Sequence, residues 1–268
     1  MRLRYKHQRF QEDAARCIVD AFIGQPKSDG TSNFTIDPGK PQIGDDQQQF
    51  EGFGDNYQPD GFGNQEIVLA QEDICENVRH IQMQQGIRPI EHLEQLQGVG
   101  TAFTIEMETG TGKTYTYIKT LFELNQQYGW TKFVIVVPSI AIREGVYKSF
   151  QSMEEHFALE YGKRMQYFIY NSKQLSKIES FANDPGIHVM IINTQAFNTS
   201  MNEEKNQEGR KGDSAARIIF SRRDEFRSRR PIDVLSATRP IMIIDEPQSV
   251  LITTTSATAH STSANRTT

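Results

Sequence analysis

Cysteine is nearly absent: Cys17 and Cys75 are the only two in 268 residues. They form no CxxC pair and no metal-ligand spacing, which argues against a disulfide scaffold or a zinc ribbon and makes a reducing compartment the expectation. No apolar run approaches membrane-spanning length. The start, Met1-Arg2-Leu3-Arg4-Tyr5-Lys6, leads into no apolar signal core. A soluble, cytoplasmic protein without a membrane partner is therefore expected. Nor is there a surplus of positive charge. With 29 Lys and Arg against 34 Asp and Glu, the net is −5, so no global basic field announces nucleic acid. Locally, Arg210 to Arg230 holds eight basic residues against three acidic ones, which fits a solvated helix face or a phosphate-contacting surface equally.

What is present is ordinary for a globular chain, with 37% hydrophobic and 24% charged residues. The length suits one large α/β domain or two small ones. The stretch that organises the rest is Ala102-Phe103-Thr104-Ile105-Glu106-Met107-Glu108-Thr109-Gly110-Thr111-Gly112-Lys113-Thr114. A short apolar run reads as a buried strand and breaks into a loop with two glycines. The loop opens onto Tyr115–Gln127, a helical pattern with Ile118, Leu121 and Phe122 on one face. Strand, Gly-Lys-Thr loop and helix form the arrangement of a P-loop. Backbone N–H groups of Thr109, Gly110, Thr111 and Gly112 and the positive helix end would cradle a polyphosphate. Lys113 would reach the β- and γ-phosphates, and the Thr114 hydroxyl would hold Mg²⁺. The usual pattern has Gly five residues before Gly112, and Met107 stands there instead. A plain glycine-rich turn is the competing reading.

Phe10, Ala14, Cys17 and Ala21 recur at helical spacing and end at Gly24. From Gln25 to Asn64 the pattern dissolves into Gly, Gln, Asp and Pro with scattered aromatics (Phe50, Phe53, Tyr57, Phe62), which reads as an inserted loop that can hold short strands. Gln65–Gln85 recovers a helix face through Ile67, Ala70, Ile74, Val78 and Ile81. Four further apolar runs, Phe133–Val137, Tyr167–Tyr170, Val189–Ile192 and Ile241–Ile244, are continuous rather than alternating, as in parallel strands covered on both faces. Helical patterns sit between most of them (Ile142, Val146, Phe150, Met153; then Leu175, Ile178, Phe181). The expected fold is a doubly wound α/β P-loop NTPase (RecA-like) with a mostly parallel sheet.

The run Ile241-Met-Ile-Ile-Asp245-Glu246 ends a strand in two carboxylates. Alone that is an ordinary pair at a helix start. Beside a phosphate loop it supplies what hydrolysis needs, with Asp245 on Mg²⁺ and Glu246 positioning and deprotonating the attacking water. Gln11 could read an adenine edge from the first helix, although Gln8 and Gln11 could equally be surface residues.

Four runs carry a family resemblance: Glu108–Thr114, Ile135–Val146 (Ile-Val-Val-Pro-Ser-Ile-Ala-Ile-Arg-Glu-Gly-Val), Ile191–Phe197 (Ile-Ile-Asn-Thr-Gln-Ala-Phe) and Ile244–Gln248 (Ile-Asp-Glu-Pro-Gln). Together they resemble the N-terminal motor domain of the restriction (Res) subunit of type III restriction–modification enzymes, helicase-like translocases of superfamily 2. The resemblance implies an ATP-dependent, DNA-engaging motor over residues 1–250, with an insertion at about 25–64. It implies Gln11 as the adenine reader, Lys113 and Thr114 on Mg-ATP, Asp245 on the metal and Glu246 as activator of water. Pro138, Ser139, Thr194 and Gln195 would touch the DNA backbone. Such contacts grip phosphates without reading sequence. Ser139 would serve as well as a plain helix N-cap. A partner modification methyltransferase is implied too.

Residues 251–268 are Ser/Thr/Ala-rich and without amphipathic period, and are expected to be a non-native or disordered tail. Ser256-Ala257-Thr258 looks like a coupling motif of such motors. However, only Pro247 to Val250 separates the Asp-Glu strand end from Leu251, where the run carrying that motif begins, while parallel neighbours need a crossover of roughly a dozen residues. The expectation is a truncated product lacking the second motor domain and the nuclease, with little turnover alone. Another superfamily 2 helicase or repair translocase, or a non-catalytic remnant, are the alternatives.

Overall fold

In the computed structural model of the chain the described residues are 5–28, 34–35, 61–96, 100–194 and 230–247, with backbone alone at 34–35, 95–96 and 100. Gln195, the whole basic run before Arg230 and the Ser/Thr-rich tail lie outside them. The elements in order are α1 Arg9–Asp20, β1 Phe34–Thr35, β2 Gly61–Phe62, α2 Gln71–Gln84, β3 Glu94–Leu96, β4 Gly100–Ala102 and α3 Lys113–Tyr128. They continue with β5 Lys132–Val137, α4 Ile140–Tyr161, β6 Met165–Ile169, α5 Ser176–Asn183, β7 Ile187–Asn193, α6 Pro231–Ala237 and β8 Ile241–Ile244. They fall into two compact units, whose boundary passes through α4 at Gly145.

The second unit holds the main sheet. All of β5 and all of β7 are buried, as continuous Val/Ile-rich runs require when both faces are covered. The order is β6-β7-β5-β8, and β5 runs parallel to both β7 (Phe133 opposite Val189) and β8 (Phe133 opposite Ile241). One face of the sheet packs on α5 and α6 through Val134, Met190, Ile192, Phe181, Val234 and Leu235. This mostly parallel sheet flanked by helices is the expected α/β, RecA-like architecture.

Asn64, at the end of the insertion, is 3% exposed and holds that unit's strand ends together. Its Nδ2 donates to Lys132 O (2.8 Å) and Arg239 O (3.0 Å), and its Oδ1 accepts from Thr131 N (2.8 Å) and Lys132 N (2.9 Å). Lys132 itself is fully buried at the foot of β5, where its ammonium donates to the carbonyls of Asp184 and Gly186. Burial lowers its pKa to about 8 against the pull of Asp184.

In the first unit α1 packs against α3, which is buried almost throughout from Tyr115 to Tyr128. Phe22, Tyr128 and Trp130 form an aromatic cluster at the C-terminal end of α3, with Phe22 edge-to-face on both partners and Tyr128 tilted against Trp130. Lys119 of α3 bonds Glu160 (2.7 Å) and Tyr161 (2.7 Å) of α4 and pairs with Glu123 (3.2 Å). Burial opposes that charge, but the two carboxylates outweigh it and the pKa of Lys119 is raised. No helix among the described residues is long and apolar enough to cross a membrane.

Three expectations need correction. The apolar run before the phosphate loop does not enter the main sheet. Only Gly100–Ala102 is a strand, paired antiparallel with Glu94–Leu96, while Phe103 and Ile105 are about 40% exposed (39% and 41%). The second amphipathic helix begins at Gln71 rather than Gln65. Ile67 and Val68 precede it in an extended, exposed segment held by Gln25, whose amide bonds Glu66 O and Val68 N. Finally, β8 is not covered on both faces: Met242 and Ile244, two residues apart and so on one face, are exposed, and among the described residues β8 pairs only with β5.

Candidate nucleotide and nucleic-acid sites

The phosphate loop lies in the first unit. Gly110 (φ +82°) and Gly112 (φ +90°) both take left-handed backbone, which turns the chain sharply into α3. Between them Thr111 folds its hydroxyl back onto Glu108 O (2.6 Å). The first intrahelical bond of α3 runs from Thr116 N to Gly112 O (3.0 Å), so the N–H groups of Lys113, Thr114 and Tyr115 have no partner within the helix. A sixteen-residue helix thus presents its positive end beside an exposed Lys113 and a half-buried Thr114. This donor set fits a polyphosphate.

Gln11, the distant residue named from the sequence, comes to this loop. It is 8% exposed, and its Nε2 donates to Thr111 O at 2.7 Å. A Cβ on Gly112 would fall 2.5 Å from that nitrogen, so a larger residue there would have to move the Gln11 amide, on top of adopting the left-handed φ. The first turn of α3 is braced from α4. Tyr115 Oη and His156 Nε2 lie 3.0 Å apart, and Tyr5 and His7 pack on the His156 ring at 5.2 and 6.0 Å. Burial pushes the His156 pKa down, with Glu160 pulling the other way. A groove of about 390 Å³ between α1 and α3 is lined by mixed charges, Glu12, Arg16, Asp20 and Glu123 among them, which suits no single anion.

The paired acids lie in the second unit, at the C-terminal end of β8. Asp245 N donates to Val136 O (2.9 Å), which extends the β5–β8 ladder by one residue. Glu246 follows with φ +55°, a left-handed conformation that is unfavourable by roughly 1–2 kcal/mol for a side chain other than glycine. Such outliers persist where the surrounding structure enforces them. Among the described residues, no three His, Cys, Asp or Glu side chains cluster as a metal site by themselves.

The ends of β5 and β7 in the same unit carry the turns expected to meet DNA. Thr194 N donates to Val137 O (3.0 Å) and its hydroxyl to Pro138 O (3.3 Å), so the two turns are tied together. Thr194 is 8% exposed, and this tie is the use its hydroxyl has. Ser139 Oγ accepts from Ile142 N (3.3 Å), the N-cap bond anticipated at the start of α4. Gln195 is outside the described residues. Sequence reasoning passed over Arg143, which sits on the first turn of α4 and reaches Asn193 across the two turns.

The family described as type III restriction enzyme, res subunit, matches residues 70–247, two thirds of the chain. The chain belongs to that family. The chain is similar to the Res subunit of the type III restriction–modification enzyme EcoP15I of Escherichia coli, with 30% identity over 201 residues. It is similar also to the EcoPI Res subunit of Escherichia phage P1 (30% over 196 residues) and the StyLTI Res subunit of Salmonella typhimurium (33% over 162 residues). The first two matches take in 69% of this chain and the third 53%. The chain covers only 19%, 19% and 15% of those relatives, so it spans about a fifth of a Res subunit or less. The match to the Res family begins at residue 70 and leaves out α1, the helix that delivers Gln11 to the loop.

Proposed function

We propose that the chain is the nucleotide- and DNA-engaging motor piece of a helicase-like type III restriction subunit, acting in the cytoplasm with DNA and a modification methyltransferase as partners. In this reading Thr109, Gly110, Thr111, Gly112 and Lys113 hold the phosphates of ATP. Thr114 and Asp245 hold Mg²⁺, which would neutralise charge developing on the transferred phosphoryl group. Glu246 takes the proton of the attacking water, and its left-handed backbone supports a functional constraint there. Gln11 senses the adenine while its amide rests on the loop. Pro138, Ser139, Thr194 and Gln195 make up the backbone-facing surface, whose contacts position DNA without reading it.

The observation that carries the reading is the convergence of Gln11 on a loop whose two glycines are both left-handed and which delivers Lys113 to a helix N-terminus. The test is binding of a fluorescent ADP analogue with Mg²⁺ to the 268-residue chain. Lys113→Ala should weaken it about tenfold or more, the loss of one charge-assisted phosphate contact of about 1.5–3 kcal/mol. Unchanged affinity would remove the phosphate loop from the site.

A further inference from the structure

Resting on the reading that the ends of β5 and β7 face nucleic acid, we propose that Arg143 is the phosphate-binding cation of that surface and that Glu144 occupies it until a DNA phosphodiester displaces it. The two turns, residues 138–144 and 193–194, contain one cation, Arg143, and one anion, Glu144. The two hydroxyls there are neutral: Thr194 spends its proton on Pro138 O, and Ser139 accepts from Ile142 N and keeps one uncharged O–H donor. A backbone grip built from those groups alone would lack the charge neutralisation that supplies most non-specific affinity.

Arg143 is held ready for that task. Its main-chain N–H donates to Ser139 O (3.0 Å), which fixes it in the first turn of α4. Nη1 donates to Asn193 Oδ1 (3.4 Å) and Nη2 to Glu144 Oε1 (3.0 Å), while Nε is buried and has no hydrogen-bond partner among the described residues. The side chain is 19% exposed and Glu144 49% exposed, so the guanidinium is set in the surface with its carboxylate partner facing water. A cation in the first turn also opposes the helix dipole, which disfavours it there unless an anion is to be met. The ion pair with Glu144 joins adjacent residues and has its carboxylate in water, an arrangement worth little by itself. A phosphodiester offers two oxygens to the planar fork and gains the helix N-terminus as well, so it outcompetes one mobile carboxylate. Only backbone charge is read this way, not base sequence.

The test is fluorescence anisotropy of the full chain with a short labelled duplex, and with the corresponding single strand, across a potassium chloride series. Arg143→Ala should weaken binding about tenfold at low salt and reduce the slope of log K against log salt by about 0.7–0.9. Arg143→Lys should recover the slope but only part of the affinity. Glu144→Gln, at an exposed position, should tighten binding roughly two- to fivefold. An unchanged slope in Arg143→Ala, or no tightening in Glu144→Gln, overturns the proposal. If Arg143→Ala does not fold, Arg143→Lys and Glu144→Gln decide the question. A wild-type chain that binds neither probe removes the DNA-facing reading itself. A wild type that binds, with variants that match it, removes only the role of Arg143 and Glu144.

Discussion

Gly112→Ala separates a steric demand from a backbone one at the point where α1 meets the phosphate loop. The backbone part is the left-handed φ of +90°, unfavourable for alanine by about 1–2 kcal/mol. The steric part is the new Cβ, 2.5 Å from Gln11 Nε2, which must push the amide aside and forfeit its bond to Thr111 O, about 1 kcal/mol more. The total should be roughly 2–3 kcal/mol. In a Gln11→Ala background the steric part has already been lost, so Gly112→Ala should cost about 1 kcal/mol less there. Gly110→Ala is the internal control. Its φ is +82° and no atom lies within 4 Å of its Cβ position, so it should show the backbone part with no coupling to Gln11. The chain's single tryptophan, Trp130, makes the assay local. It is 2% exposed, in the same unit, and packed on Phe22 at 5.1 Å and Tyr128 at 4.9 Å, so urea unfolding followed by its fluorescence reports this unit. Additivity of Gly112→Ala and Gln11→Ala to within about 0.5 kcal/mol would refute the contact between helix and loop.

Asn64→Ala should destabilise the second unit by roughly 3–5 kcal/mol, because it removes three buried bonds and one part-buried bond to the backbone at once, read as a loss of urea midpoint by circular dichroism. Asn64→Asp should remain well below wild type, since it keeps the acceptor and loses both donations. The pH dependence follows from three depressed bases. Burial holds the pKa values of His156 and His188 below the ordinary 6.5, so the folded chain binds fewer protons than the unfolded one as pH falls through that value, and stability is lost on acidification. For Lys132, with about 8 folded against 10.5 unfolded, the same sign makes its contribution grow as pH rises between those values. Urea midpoints measured on both sides of neutrality should therefore fall towards acid. A midpoint that rises on acidification would contradict both histidine assignments.

What was legible in the sequence was whatever a local pattern could state. The β5 and β7 runs announced themselves as strands buried on both faces, and Gly112-Lys113-Thr114 announced the turn into α3, because backbone conformation and burial there are set by neighbours in sequence. The strand expected before the loop failed for the opposite reason. A run such as Phe103–Ile105 is apolar enough for a sheet interior, but a strand exists only where partner strands are offered, and here β3 pairs three residues and no further partner is present among the described residues. Likewise β8, whose Ile-Met-Ile-Ile reads as a strand covered on both faces, pairs only with β5 among the described residues and leaves Met242 and Ile244 exposed. Asn64 was invisible, since an asparagine closing a Gly- and Gln-rich stretch looks like any loop residue until Lys132 and Arg239 are brought to it from far along the chain. Arg143 lay within the most family-specific run yet carried no assigned role. Its meaning depends on Asn193, fifty residues away, and on the hydroxyls beside it carrying no charge. Residues whose role is a local conformation were thus readable, and residues whose role is to join distant strand ends were not. For that reason the surface formed by Arg143, Glu144 and Asn193 is where measurement adds most to what pattern alone supports.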